Sequence, residues 1–244
     1  MALTDSLVAY YRCDEASGTR ADSSGNGYAL TDNNTVGSAT GNISALAADF
    51  VAASFETLSS TAAGLIAPFT IAAAWTWVLW IRPDSPTETV LAEPISSSNG
   101  SKGIMCRRRG LTAFGSSSVA WDIINNAGTA HRVEQATNTP INTWSMVALK
   151  YDGAGSAYAR TNASTTTAVS VSGTLTPYST FRLGDRANDI HANFDGRIAH
   201  VGLWSRALTS GELDQLYNSG AGLDPTASTG SALPLFAAQI AVMS

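Results

Sequence analysis

The run WTWVLWIRP, residues 75–83, sets the first constraint on this chain. It places three of the six tryptophans within six residues. In a strand, side chains alternate between faces with period two. Trp75, Trp77, Leu79 and Ile81 then share one face, and Thr76, Val78 and Trp80 the other. Both faces are largely apolar, which predicts a central strand covered on both sides. Pro83 ends it, because proline cannot donate to a ladder. The tryptophans are therefore expected in packing, with a sugar-stacking platform as the competing reading.

The rest of the chain matches a β-rich reading. Of 244 residues, 44% are hydrophobic and only 14% charged. Ser, Thr, Ala, Gly and Asn make up the difference, as suits short strands and polar turns. The net charge of −5 argues against nucleic acid, which calls for a basic patch. Lys102 and Lys150 are the lysines, and the remaining cations are arginines. No apolar run reaches the length of about 20 residues that a membrane helix needs, so no membrane insertion is expected. Cys13 and Cys106 read as two buried free thiols, with a single disulfide as the alternative.

Strands are predicted at 6–13, within 28–60, and near 88–95, 103–109, 111–114, 118–124, 130–136, 144–151, 156–161, 166–171, 180–184 and 194–204. Turn-rich segments separate them, Asn26-Gly27 among these. One helix is expected at about 210–218. Thr209 and Glu212 have capping-box spacing, Leu213, Leu216 and Tyr217 share a face, and Gly220 or Gly222 would stop it. The domain is placed at 1–223. Residues 224–244 read as a linker followed by an apolar docking tail, LPLFAAQIAVMS, with Leu235, Phe236 and Ile240 as its anchors.

Three segments carry a family resemblance: LVAYYRCDEASGTRADSSGNG at 7–27, WTWVLWIRPDS at 75–85, and FDGRIAHVGLWSRALTSGELDQLYNSG at 194–220. With NTWSMVALKYDG at 142–153, they resemble the laminin-G-like, concanavalin A-like lectin/glucanase superfamily. The resemblance implies an all-β, two-sheet antiparallel jelly-roll sandwich of roughly a dozen strands, with sheets about 10 Å apart. It also implies that WTWVLW is core. Trp121 departs from the pattern and is expected to be the exposed ring.

The glucanase branch implies two carboxylates on one strand, as Glu-x-Asp-x-Glu. The only Glu-x-Asp here is Glu212-Leu-Asp214, which falls on the predicted helix and reads as a cap, so no enzyme is expected. Relatives that bind calcium imply oxygen ligands, for which Asp22, Asn26, Asp185, Asp189, Asn193 and Asp195 are the candidates, beside the competing reading of ordinary turn residues. Ala199 and His200 stand where the family often carries acids. In Arg107-Arg108-Arg109, alternation sends Arg107 and Arg109 to one face, toward an acidic glycan or a carboxylate-bearing subunit, or simply toward solvent.

The functional expectation is a non-catalytic lectin-like sandwich acting as a structural or adhesion subunit. The N-terminal sequence has no secretory signal pattern. That points to a phage virion surface, with other virion or capsid subunits, or further copies of itself, as partners and cell-surface glycans as a further ligand. Extracellular placement by unconventional export is the alternative localisation. A free-standing carbohydrate-binding module is the alternative function, with a glycoside hydrolase behind it.

Overall fold

The computed structural model describes residues 1–95, 102–109, 118–175, 180–185 and 193–227. In chain order, the strands begin with β1 (Leu7–Tyr11), β2 (Thr31–Asn33), β3 (Gly37–Thr40), β4 (Leu46–Phe50) and β5 (Thr57–Ser60). Next come β6 (Trp75–Pro83), β7 (Thr89–Ile95), β8 (Gly103–Arg108), β9 (Val119–Ile124), β10 (Ala130–Gln135) and β11 (Ser145–Tyr151). The series closes with β12 (Ser156–Thr161), β13 (Ser164–Thr165), β14 (Val169–Ser170), β15 (Thr180–Leu183) and β16 (Gly196–Trp204). Two α-helices are described, the single turn α1 (Ala63–Ile66) and α2 (Ser210–Tyr217). The expected strand at 111–114 lies outside the described residues.

The strands form two antiparallel sheets. The first runs β13-β12-β11-β6-β16-β4-β3, with β1 also paired to β16 and β14 to β12. The second runs β10-β9-β8-β7-β15-β5-β2. The fold is the expected all-β sandwich, cut into more and shorter strands than a dozen because turn residues interrupt the apolar runs every few positions.

β6 lies between β11 and β16, with Trp77 opposite both Leu149 and Leu203. Its inner face meets the second sheet. Trp77 packs on Trp121 with ring centroids 5.2 Å apart and on Phe181 at 5.4 Å, while Phe69 meets Trp75 edge-on at 5.7 Å. Such rings bury large apolar areas and dominate a sandwich core. The outer face is covered as well. Val78 and Trp80 pack with Met146, Trp204 and Leu208 beneath Leu213 and Leu216 of α2, and Trp80 stacks on Tyr217 at 6.1 Å. The stretch 75–80 is thus core on both sides.

Helix α2 begins with the predicted capping box. Thr209 Oγ1 accepts from the Glu212 amide at 3.2 Å, and Glu212 Oε2 accepts from the Thr209 amide at 2.8 Å. Its end differs from expectation. Asn218, not a glycine, takes the left-handed conformation that closes the helix. Asparagine tolerates that region through local side-chain bonding, and here its Nδ2 donates to the Gly222 carbonyl at 3.0 Å. No helix among the described residues is long and apolar enough to cross a membrane.

β16 carries a bulge between Ala199 and Gly202, where His200 adopts a left-handed backbone. Gly202 is required there, because a Cβ would lie 2.4 Å from the Trp204 ring. Both cysteines are free and buried, as expected.

Candidate functional site

Strand register assembles the site. Gly196 at the start of β16 lies opposite Phe50, the end of β4, and opposite Pro83, the end of β6. The segments 51–56, 84–88 and 193–195 therefore emerge side by side at one end of the sandwich. In the second sheet, Thr89 pairs with Arg108, which brings the end of β8 to the same rim. Cross-links tie the segments together. The Asp84 amide donates to the Asp195 carbonyl at 2.9 Å, and Asn193 Nδ2 donates to the Ala52 carbonyl at 3.1 Å. The segment before β11 joins them, with the Asn142 amide donating to the Pro83 carbonyl at 2.7 Å.

These segments enclose an open cleft of ≈ 340 Å³, lined by Ala52, Ala53, Phe55, Thr87, Glu88, Thr89 and Asn193. That volume lies at the low end of ligand pockets. Phe55 is 48% exposed and has a left-handed backbone, φ 55°. A bulky side chain at positive φ is a costly arrangement, of the kind that concentrates at ligand clamps. The turn Ala52–Ser54 and a bond from Asn34 Nδ2 to the Phe55 carbonyl, 2.8 Å, hold it there. Glu56 steadies the same turn, accepting from the Val51 amide at 2.8 Å, and burial pushes its carboxyl up. Among the described residues, Met1, Val51, Phe55, Ile141 and Leu223 are the exposed large apolar side chains. Three of these five, Val51, Phe55 and Ile141, sit on this rim.

The polar side of the cleft is built by the arginine run. Arg107 and Arg109 do share a face, and both turn toward Glu88, at 3.4 and 3.9 Å. Arg107 also bonds Asp122, whose other oxygen takes Arg132 Nε at 2.8 Å. The carboxylates these arginines meet are therefore in their own chain. Asp122 holds the Arg132 guanidinium above its ordinary range through that bond. Arg108 turns inward and is almost wholly buried. It donates to the carbonyls of Ser85 at 2.8 Å, Thr87 at 3.3 Å and Thr139 at 3.3 Å. Burial lowers its pKa. Three consecutive arginines thus brace the Glu88 segment from two sides. Glu88 remains 47% exposed at its side chain. Asn193 is buried, and its Oδ1 has no hydrogen-bond partner among the described residues.

Of the other expected site residues, Asp195 lies on the rim, in the segment 193–195, without lining the cleft. Trp121 corrects the expectation of an exposed ring. It points inward from β9, fully buried against Trp77, because period two places Val119, Trp121 and Ile123 on the core face. Asp22 acts as a turn residue: its two oxygens accept from the amides of Tyr10, Ser24 and Tyr28 and from the Ser24 hydroxyl, at 2.9–3.1 Å. Asn26 donates to the carbonyls of Leu7 and Val8. Asp185 and Asp195 are half-buried after β15 and before β16, and no group of three His, Cys, Asp or Glu set to hold a metal occurs among the described residues. Asp189 and the tail anchors Leu235, Phe236 and Ile240 lie outside the described residues. The linker's first residues bond to the domain: Arg12 Nε meets Asp224 at 2.6 Å, and Arg12 Nη2 donates to Thr226 Oγ1 at 3.2 Å.

The Glu-x-Asp pair is occupied structurally. Glu212 takes two bonds from Arg206, at 2.7 and 2.9 Å, and Asp214 pairs with Arg160 at 2.7 Å. His200 is buried, with Nδ1 at 2.9 Å from the Tyr10 hydroxyl and Nε2 at 3.0 Å from Ser44 Oγ. Burial holds its pKa at about 4. Phe55 and Glu88 are not singled out by the sequence, and Asn193 is reached there only as a candidate calcium ligand. A signal existed for Phe55: an aromatic directly after the short turn Ala-Ala-Ser.

The fold has solved counterparts. The binding domain of Paraclostridial Mosquitocidal Protein 1 is 16% identical with a TM-score of 0.71, over 89% of this chain and 53% of that one. The receptor-binding domain of botulinum neurotoxin mosaic serotype C/D, solved with tetraethylene glycol on its Hcn sub-domain, is 13% identical with a TM-score of 0.66, over 89% and 52%. A structure of botulinum neurotoxin type C, whose cell entry is described as dependent on interaction with two ganglioside molecules, is 12% identical with a TM-score of 0.66, over 89% and 52%. This chain spans about half the length of each. These likenesses establish the fold, shared with proteins named as binding domains. No curated protein sequence matches the chain. A family model covers residues 56–214, most of the sandwich, and by that match the chain belongs to the concanavalin A-like lectin/glucanases superfamily.

Proposed function

We propose that this chain is a non-catalytic glycan-binding module and that the rim cleft between Phe55 and Glu88 is its binding site. The observation that carries the reading is the exposed Phe55 ring, held in a costly backbone conformation beside Glu88, Thr87 and Asn193. An apolar ring face beside a few fixed polar groups suits a sugar, which offers C–H bonds on one face and hydroxyls around its edge. Membership of a lectin superfamily supports the reading, though fold by itself does not set function. The similar structures named as receptor-binding domains support it too.

The test is a glycan array run with calcium and with chelator, on the native chain and on Phe55→Ala. Binding that Phe55→Ala removes supports the cleft as the site. Binding that survives the substitution moves the site elsewhere, and no binding in either condition removes the glycan reading. Loss on chelation alone brings in a calcium site among the acidic loops.

The reading extends to an adhesion subunit on a phage-like virion surface, docked through the apolar segment that carries Leu235, Phe236 and Ile240. That segment's composition supports it: apolar, yet too short to span a bilayer. Light scattering on the full chain and on a version ending at Ala227 tests self-assembly. A discrete oligomer that falls to monomer on truncation is expected. Two equal monomers would leave the module without an assembly arm of its own.

A further inference from the structure

We infer that the rim cleft selects neutral, hydroxyl-presenting sugar rings over acidic ones. The inference rests on the glycan-binding reading and names the substrate class of that site. It follows from which hydrogen-bonding roles remain open.

The charged group that the cleft opens to a ligand is an acceptor. Glu88 is the one carboxylate among the lining residues and is half exposed. An ionised carboxylate accepts hydrogen bonds and donates none, and sugar hydroxyls donate to it. Thr87 Oγ1 already exchanges a bond with Ser85 Oγ at 2.9 Å.

The arginines do not reverse this preference. Arg107 is engaged by Glu88 and Asp122, Arg109 by Glu88, and Arg132 by Asp122. The Nε atoms of Arg107 and Arg109 are buried and out of a ligand's reach. A sugar carboxylate or sulfate would bring one more acceptor next to Glu88, and it would have to displace Glu88 from two guanidinium groups to find a counter-charge. Like charges at such distances repel, and the pairing already present offsets the attraction of the cations. The arginine run therefore reads as a brace for a carboxylate that accepts from hydroxyls, not as an anion receptor.

The test compares matched probes by calorimetry or biolayer interferometry: lactose against 3′-sialyllactose, and maltotriose against a galacturonic acid trimer. Native protein, Phe55→Ala and Glu88→Gln are measured, each first shown to unfold at the native temperature. At least one neutral probe is expected to bind at least tenfold more tightly than its acidic counterpart. Glu88→Gln is expected to weaken that neutral binding about tenfold and to narrow the gap between the pair. Acidic probes that bind as tightly as neutral ones, or neutral binding untouched by Glu88→Gln, would overturn the selectivity while leaving glycan binding intact. A protein that binds none of these probes, and no glycan on the array, would overturn the glycan reading and this inference with it.

Discussion

Replacing Glu212 by glutamine separates a catalytic reading of Glu-Leu-Asp from a structural one. Glu212 closes the capping box of α2 and receives two bonds from Arg206, at 2.7 and 2.9 Å. Those bonds, with the two from Thr209, hold its carboxyl at about 2, against an ordinary 4.5. At 1.36 kcal/mol per pH unit, the difference corresponds to about 3 kcal/mol of folding stability. Because the folded-state value is depressed, that contribution is complete above pH 4.5 and drains as pH falls toward 2. By pH 3 about 2 kcal/mol of it is gone. Glutamine preserves the capping geometry but removes the charge. It keeps the oxygen that accepts from Thr209 and Arg206 Nη1, loses the bond from Arg206 Nη2, and leaves the mostly buried guanidinium without a counter-charge beside the carbonyls of Ala2 and Asp5, at 3.1 and 2.9 Å. Urea titrations of Glu212→Gln and native protein at pH 7, 5 and 3 are the assay. A loss of about 2–3 kcal/mol at pH 7, shrinking to under about 1 kcal/mol at pH 3, is expected. A loss that does not change with pH would refute the charge argument. A loss below about 0.5 kcal/mol at pH 7 would mean that desolvation cancels the pair.

Three further outcomes are expected. Trp121→Phe should cost about 1–3 kcal/mol in urea unfolding, from the void left beside Trp77, without changing glycan affinity; an affinity change would restore Trp121 as a ligand contact. His200 should titrate near 4 by NMR, so the folded form binds fewer protons than the unfolded chain between about pH 4 and 6.5. Stability then falls as pH drops through that window, by about 3 kcal/mol in all, and His200→Asn, which tolerates the left-handed backbone, should flatten that dependence; an unchanged slope would reject the assignment. Burial pushes the thiols of Cys13 and Cys106 up, so both should resist Ellman's reagent in the native protein and react on unfolding; prompt native reaction would show one of them to be accessible.

Much of the scaffold was legible because it rests on local rules. Period two in WTWVLWIRP assigned each side chain of β6 to its face, and the structure covers both faces as that pattern requires. The spacing of Thr209 and Glu212 located the start of α2, since a capping box is complete within four residues. The helix ends within a residue of the expected 218, but the residue that closes it differs, because glycine is only the commonest residue at a left-handed cap and Asn218 fills that role two residues before Gly220. Trp121 lies outside the motif segments, yet the parity of its own strand already places it inside. Val119 and Ile123 share its parity, and all three point to the core.

The cleft was illegible for a different reason. Phe55 and Asn193 are 138 positions apart in the chain, and they meet because β16 pairs with β4 and β6 in one register. Nothing near either residue encodes that register. It is set by the summed fit of alternating apolar side chains along whole strands, and a slip of one residue would send every side chain to the wrong face. The arginine run shows the same division. Alternation correctly grouped Arg107 with Arg109, but their partners Glu88 and Asp122 belong to strands or segments chosen by topology. A positive cluster that reads as an anion site in one dimension becomes, once its neighbours are in place, a support for a carboxylate. The sign of charge that a surface offers a ligand is therefore a property of the assembled rim, and it is the quantity that the paired neutral and acidic sugars would measure.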